Sequence, residues 1–143
     1  MKSVIRPMQR KDLDAVRIMA DQLGYPCPSP EFEQRFLELI VLSHHQLYVL
    51  VDQEKVQGWI HLELVTDLIE EKKVEVKAMV VDEDSRGQGY GSDLLSQARE
   101  WGKEKGVSTI YLSCNIIRDK AHAFYLREGF KKVKTSHFFE MVI

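Results

Sequence analysis

A chain of 143 residues is long enough to bury one hydrophobic core and too short for two independent ones. Its composition, 44% hydrophobic and 29% charged, includes no apolar run long enough to span a bilayer, and a net charge of -2 with a pI near 6.2 lacks the basic excess of a nucleic-acid binder. Cys27 and Cys114 show no metal-type spacing, and charge and proline interrupt Met1 to Pro7 before a signal-peptide core could form. The expectation is therefore a cytoplasmic protein with two free thiols, no metal, and neither a membrane nor a nucleic-acid partner.

In chain order, a short strand near Ser3 to Arg6 precedes a helix whose stripe is Leu13, Val16, Ala20 and Leu23. The segment Gly24-Tyr25-Pro26-Cys27-Pro28-Ser29-Pro30 cannot stay helical, and Ser29-Pro30-Glu31 opens a second helix with Phe32, Phe36, Leu39 and Ile40 on one face. Leu47 to Val51 and Val56 to Val65 read as strands of a hairpin turning at Asp52-Gln53-Glu54-Lys55, and Val74 to Val81 as a further strand. A glycine-rich turn follows. Leu94, Leu95, Ala98 and Trp101 then mark a helix that Gly106 ends, and Thr109 to Ser113 returns as a strand. Strand, turn, helix and strand in that order make a right-handed crossover between parallel strands. A short helix at Lys120 to Arg127 and two strand-like runs, Phe130 to Lys134 and His137 to Val142, complete an α/β chain with a mixed sheet flanked by about four helices. Residues 1–143 read as one domain.

Gly87, Gly89 and Gly91 alternate directly between a strand and a helix. Glycine there lets backbone approach a ligand closely, and successive N–H groups at a helix N-terminus attract an anion. No Gly-Lys-Ser/Thr follows, which argues against a nucleoside-triphosphate loop, and the spacing falls short of the dinucleotide fingerprint. A tight turn using glycine only for its dihedrals is the plain alternative.

Val80-Val81-Asp82-Glu83-Asp84-Ser85-Arg86-Gly87-Gln88-Gly89-Tyr90-Gly91 resembles the acetyl-CoA signature of the GNAT superfamily of N-acetyltransferases, whose Arg/Gln-x-x-Gly-x-Gly/Ala pattern falls on Arg86, Gly89 and Gly91. Asn115, and Ala121 to Phe130 with Tyr125 and the Gly129-Phe130 pair, are similar to the family's later tyrosine-bearing helix. The resemblance covers most of the chain and implies the family's mostly antiparallel mixed sheet with acetyl-CoA as co-substrate. It puts the amides of Gly87, Gln88, Gly89, Tyr90, Gly91 and Ser92 on the pyrophosphate and the backbone of Met79, Val80 and Val81 along the pantetheine arm. Asn115 would contact that arm or, as the alternative, simply form a turn.

Direct amine acetylation needs a neutral amine and a proton for the departing thiolate. By family match Tyr125 is the proton donor, against the alternative of a packed core aromatic. Glu75 is the candidate base, and period-two alternation puts it on one face with Lys77, Met79 and Val81; a solvated strand end is its plain alternative. His61 and Glu63 are rivals for that role. Cys114 has no His/Asp partner spacing that would activate it as a nucleophile. Tyr25 and Phe32 are expected either to wall the acceptor pocket or merely to pack the helix pair. The expected function is acetyl transfer to a primary amine of a small molecule, with a protein or peptide N-acetyltransferase and a non-catalytic acyl-CoA sensor as alternatives. The apolar end, Phe138, Phe139, Met141, Val142 and Ile143, leaves a homodimer open.

Overall fold

The computed structural model describes residues 3–143, which divide into a unit running to Leu112 and a second from Ser113, each described by itself. The first holds a five-stranded sheet in the order β1 (Val4–Pro7), β2 (His45–Asp52), β3 (Lys55–Val65), β4 (Lys73–Val81) and β5 (Ile110–Tyr111). All neighbours run antiparallel except β4 and β5, which are parallel and joined by the expected crossover. Its helices are α1 (Leu13–Gln22), α2 (Ser29–Leu39) and α3 (Tyr90–Glu104). No helix among the described residues is long and apolar enough to cross a membrane.

Helical periodicity places Leu13, Val16, Met19 and Ala20 on the buried stripe of α1, and with Phe36 of α2 they pack on Leu47, Val49, Trp59 and Val80 of the sheet. Leu94, Leu95, Ala98 and Trp101 bury the corresponding stripe of α3. The β2–β3 hairpin turns on Gln53 and Glu54, both left-handed at φ 54° and 62°, the backbone a two-residue turn requires. At the entry to α1, Arg6 Nη1 and Nη2 donate to Asp12 Oδ2 and Oδ1 at 2.7 and 2.9 Å, and the Gln9 amide adds 2.8 Å.

Asp12 is only 4% exposed. Burial by itself would raise its carboxyl, but the Arg6 hydrogen bonds, the Gln9 amide and the Arg6 charge outweigh it and hold the group below its usual 3.8. Asp12→Ala strands the Arg6 guanidinium and the Gln9 amide, and urea unfolding at pH 7 is expected to show a loss of about 3 kcal/mol. Because the folded carboxyl is depressed, its contribution is complete above the unfolded value and disappears as pH falls through the folded one. The gap between variant and wild type should therefore hold from neutrality down to about pH 4 and close only in stronger acid.

Two expectations are corrected here. Phe130 to Lys134 and His137 to Val142 are irregular rather than strands: an alternating β-rich sequence permits a strand, but only a ladder partner makes one. The face shared by Glu75, Met79 and Val81 is also wrong, because the β3–β4 register slips between His61 and Leu62. His61 faces Ala78 while Leu62 faces Val76, so Lys77 is the extra residue of a bulge. Before the bulge, Val74 faces α3, its Cγ2 lying 3.6 Å from where a Gly102 Cβ would stand. After it, Ala78 and Val80 pack on the α1 and α2 side. Residues of equal parity thus change face, and Met79 and Val81 turn to the α3 side, away from Glu75.

The second unit contains α4 (Asp119–Arg127), which ends at Gly129 with φ 102° and with bonds from the Gly129 and Phe130 amides back to Leu126 and Tyr125.

Candidate functional site

β5 pairs with β4 only at Val74 and Glu75, so from Val76 to Val81 β4 has no ladder partner on that side. The bulge at Lys77 begins where this pairing stops, and β4 then leads into a single 3-10 turn, Glu83–Ser85, and the glycine turn. Met79, Val80 and Val81 lie on this open stretch, opposite Ile60, Trp59 and Gly58 of β3. Gly58 is there for space, since a Cβ on it would stand 2.9 Å from the Val80 carbonyl oxygen.

Gly87 and Gly89 are left-handed at φ 84° and 85°, with Gln88 between them keeping negative φ. Alternating backbone hands of this kind form a concavity for an anion, and Gly89 is also the N-cap of α3. The first helical bond runs from the Asp93 amide to the Gly89 carbonyl, leaving the amides of Tyr90 and Gly91 ahead of it, with Ser92 in the same turn. A Cβ on Gly87 or Gly89 would meet nothing within 4 Å, so the cradle is open. The Tyr90 side chain is buried and donates its hydroxyl to Asp52, which raises the phenol pKa. Arg86 and Gln88 are exposed, and Arg86 Nε donates at 3.4 Å to the Val81 carbonyl.

Residues with no sequence signal hold this turn in place. Gln22, at the end of α1, accepts from the Glu83 amide and donates to Asp82 at 3.1 and 3.0 Å. Ser85 Oγ donates to Gln57 Oε1 at 2.6 Å, and the Gln57 carbonyl takes the Asp82 amide at 2.9 Å. Gln22 and Gln57 are polar residues on otherwise ordinary elements, distant in sequence from what they hold.

On the α1 and α2 side, the sheet register lines up one polar row: His45 opposite Glu63, Glu63 opposite Glu75, and Glu75 opposite Tyr111. Lys77 Nζ reaches Glu63 Oε1 at 3.3 Å and Glu75 Oε1 at 3.5 Å, and the two carboxylates raise its pKa although burial pulls the other way. His61 Nε2 lies 2.9 Å from His45 Nδ1. Burial first, then the charges of His45 and Lys77, push His61 down to about 4, so its ring is neutral at pH 7. Burial and the carboxylates of Glu75 and Glu63 raise Tyr111. Glu75 is thus a half-buried carboxylate in a charged row rather than a solvated strand end. Sequence reading missed Tyr111, whose place in the row follows only from the β4–β5 register. Tyr25, 67% exposed, and Phe32, packed into the α1–α2 cluster, fit the plain packing alternative better than a pocket wall.

In the second unit, the Asn115 side chain accepts from the Ile117 amide at 3.1 Å, and its carbonyl accepts from the Arg118 amide at 3.0 Å, a turn-forming geometry; His122 Nε2 lies 2.8 Å from that same carbonyl oxygen. Tyr125 is half-buried, with Phe124 and Phe130 edge-on at 5.4 and 5.7 Å. Burial, then Cys114, holds its phenol above the usual range, so it is protonated at neutral pH.

A profile of the acetyltransferase (GNAT) family matches residues 13–130. Aminoalkylphosphonate N-acetyltransferase of Salmonella typhimurium is 47% identical over 64 residues, which is 45% of this chain and 40% of that protein. Human N-acetyltransferase 8 is 30% identical over 92 residues, 64% of this chain and 40% of that one, so the matches span about two fifths of these relatives. Among solved structures, a transcriptional regulator from Bacillus halodurans has a TM-score of 0.87 at 24% identity, covering 98% of this chain and all of that one. An aminoglycoside N-acetyltransferase solved in complex with CoA has a TM-score of 0.89 at 17% identity, covering 98% and 95%. At these identities the structural likeness is one of fold.

Proposed function

The chain belongs to the acetyltransferase (GNAT) family, and from that premise we propose that it moves an acetyl group from acetyl-CoA directly to a primary amine of a small molecule. The observation that carries the reading is the open, left-handed Gly87 and Gly89 turn at the N-terminus of α3, directly beyond the stretch of β4 that has no partner on its β5 side. The amides of Gly87 to Ser92 would hold the pyrophosphate and the main chain of Met79 to Val81 the pantetheine arm, with Asn115 as a further contact. When bound, acetyl-CoA supplies an activated thioester whose acyl carbon takes the amine lone pair as the carbon–sulfur bond breaks.

In this reading Glu75 accepts the proton of the incoming ammonium, directly or through a water, and Lys77, 3.5 Å away, helps to position its carboxylate. Tyr125 gives its phenolic proton to the departing thiolate. Glu75→Gln is expected to lower kcat/KM and to flatten the rise of rate with pH, because an amide takes no proton. An unchanged pH–rate profile would remove Glu75 from the mechanism.

The name of the Salmonella relative, an aminoalkylphosphonate N-acetyltransferase, supports a small amine as acceptor. The family profile crosses from the first unit into the second, which supports residues 1–143 as one domain. Thiol release from acetyl-CoA, measured over small amines, polyamines, aminoglycosides, aminophosphonates and N-terminal peptides, tests the proposal. Turnover confined to small amines is the expected result. Turnover with peptides alone would move the acceptor class to proteins, and acetyl-CoA binding without turnover on any acceptor would leave a sensor.

A further inference from the structure

We propose that His44, His45 and Glu63 form a binding site for one divalent transition-metal ion of the zinc class, assembled by the register between β2 and β3. No spacing in the sequence announces it, because Glu63 lies eighteen positions from His45 and becomes its direct cross-strand partner only in the folded sheet. His44 is held beside β3 by its carbonyl, which accepts the Leu64 amide at 2.7 Å. One ligand atom from each of the three side chains lies within 4.8 Å of the other two.

Two imidazoles and one carboxylate are the donor set of zinc sites that keep a fourth position open. Ligand atoms on a tetrahedral zinc stand about 3.3 Å apart, so no pair of the three groups has to close by more than about 1.5 Å on binding. His44 is exposed and free to rotate into place, its ring 4.6 Å from that of His45. His61 supplies the supporting contact such ligands use: its Nε2 lies 2.9 Å from His45 Nδ1, which orients the ring and leaves His45 Nε2 for the ion. Lys77 is the competing cation, 3.3 Å from Glu63, but Glu75 at 3.5 Å is a second partner, so Lys77 keeps a counter-charge when Glu63 turns to the metal. Occupancy therefore shifts Lys77 onto Glu75 alone. That link to the catalytic row rests on the transferase reading, whereas the site itself does not.

Titration of the full chain with Zn2+, followed by calorimetry and by the visible spectrum of a Co2+ substitute with no acetyl-CoA present, tests the site. The expected result is one ion per chain, with affinity falling ten-fold or more in His44→Ala and in Glu63→Gln and unchanged in His122→Ala. Both ligand variants are mild, one removing an exposed ring and the other exchanging one carboxylate oxygen for nitrogen. Absence of binding, or an ion held equally well by His44→Ala and Glu63→Gln, would overturn the proposal. The readout needs no turnover, so a silent transferase assay leaves it standing.

Discussion

Gly89→Asp is expected to reduce affinity for coenzyme A by at least two powers of ten while leaving the fold intact. The φ of 85° at Gly89 costs an L-residue about 1–2 kcal/mol. Packing adds nothing to that, since a Cβ there meets no atom within 4 Å. The functional cost is electrostatic: a carboxylate about 4 Å from a diphosphate is repelled by about 4 kcal/mol per charge pair at an effective dielectric constant near 20. Calorimetric titration with coenzyme A, alongside a thermal melt, separates the two effects, and Gly89→Ala isolates the backbone strain. Wild-type affinity in Gly89→Asp would show that the pyrophosphate does not sit on this turn.

Tyr125→Phe should lower kcat by about 10²–10⁴, the range of one lost proton transfer, with affinity for coenzyme A unchanged. Phenylalanine keeps the ring, and with it the edge contacts to Phe124 and Phe130, so the packing of α4 and the Gly129 turn survives. The half-buried phenol is protonated at neutral pH, the form a donor to a thiolate needs, and the variant lacks only that hydroxyl. Steady-state rates in the presence of a saturating acceptor, set beside an equilibrium binding curve, decide the matter. An unchanged kcat would assign Tyr125 to packing alone, and equal losses in rate and affinity would make it a cofactor contact instead of a proton donor.

The order of elements, the helix stripes and the glycine turn were legible in the sequence because each rests on local rules. Val16 and Ala20 repeat at helical spacing, the polar Asp52 to Lys55 segment interrupts two β-rich runs, and glycines at 87 and 89 answer to a backbone only glycine adopts cheaply. What only the tertiary structure decided is which side chains share a face and meet. One extra residue at Lys77 reverses the parity of β4, so the side chains of Met79 and Val81 leave Glu75, and no one-dimensional alternation carries that bulge. Register likewise brought His45, Glu63, Glu75 and Tyr111 into one row, and the packing of α1 and β3 beside the turn set Gln22 and Gln57 against it. The strand-like runs after Gly129 mark the opposite case, in which a legible pattern makes no strand, because a strand is a pairing between segments and alternation within one segment cannot supply its partner.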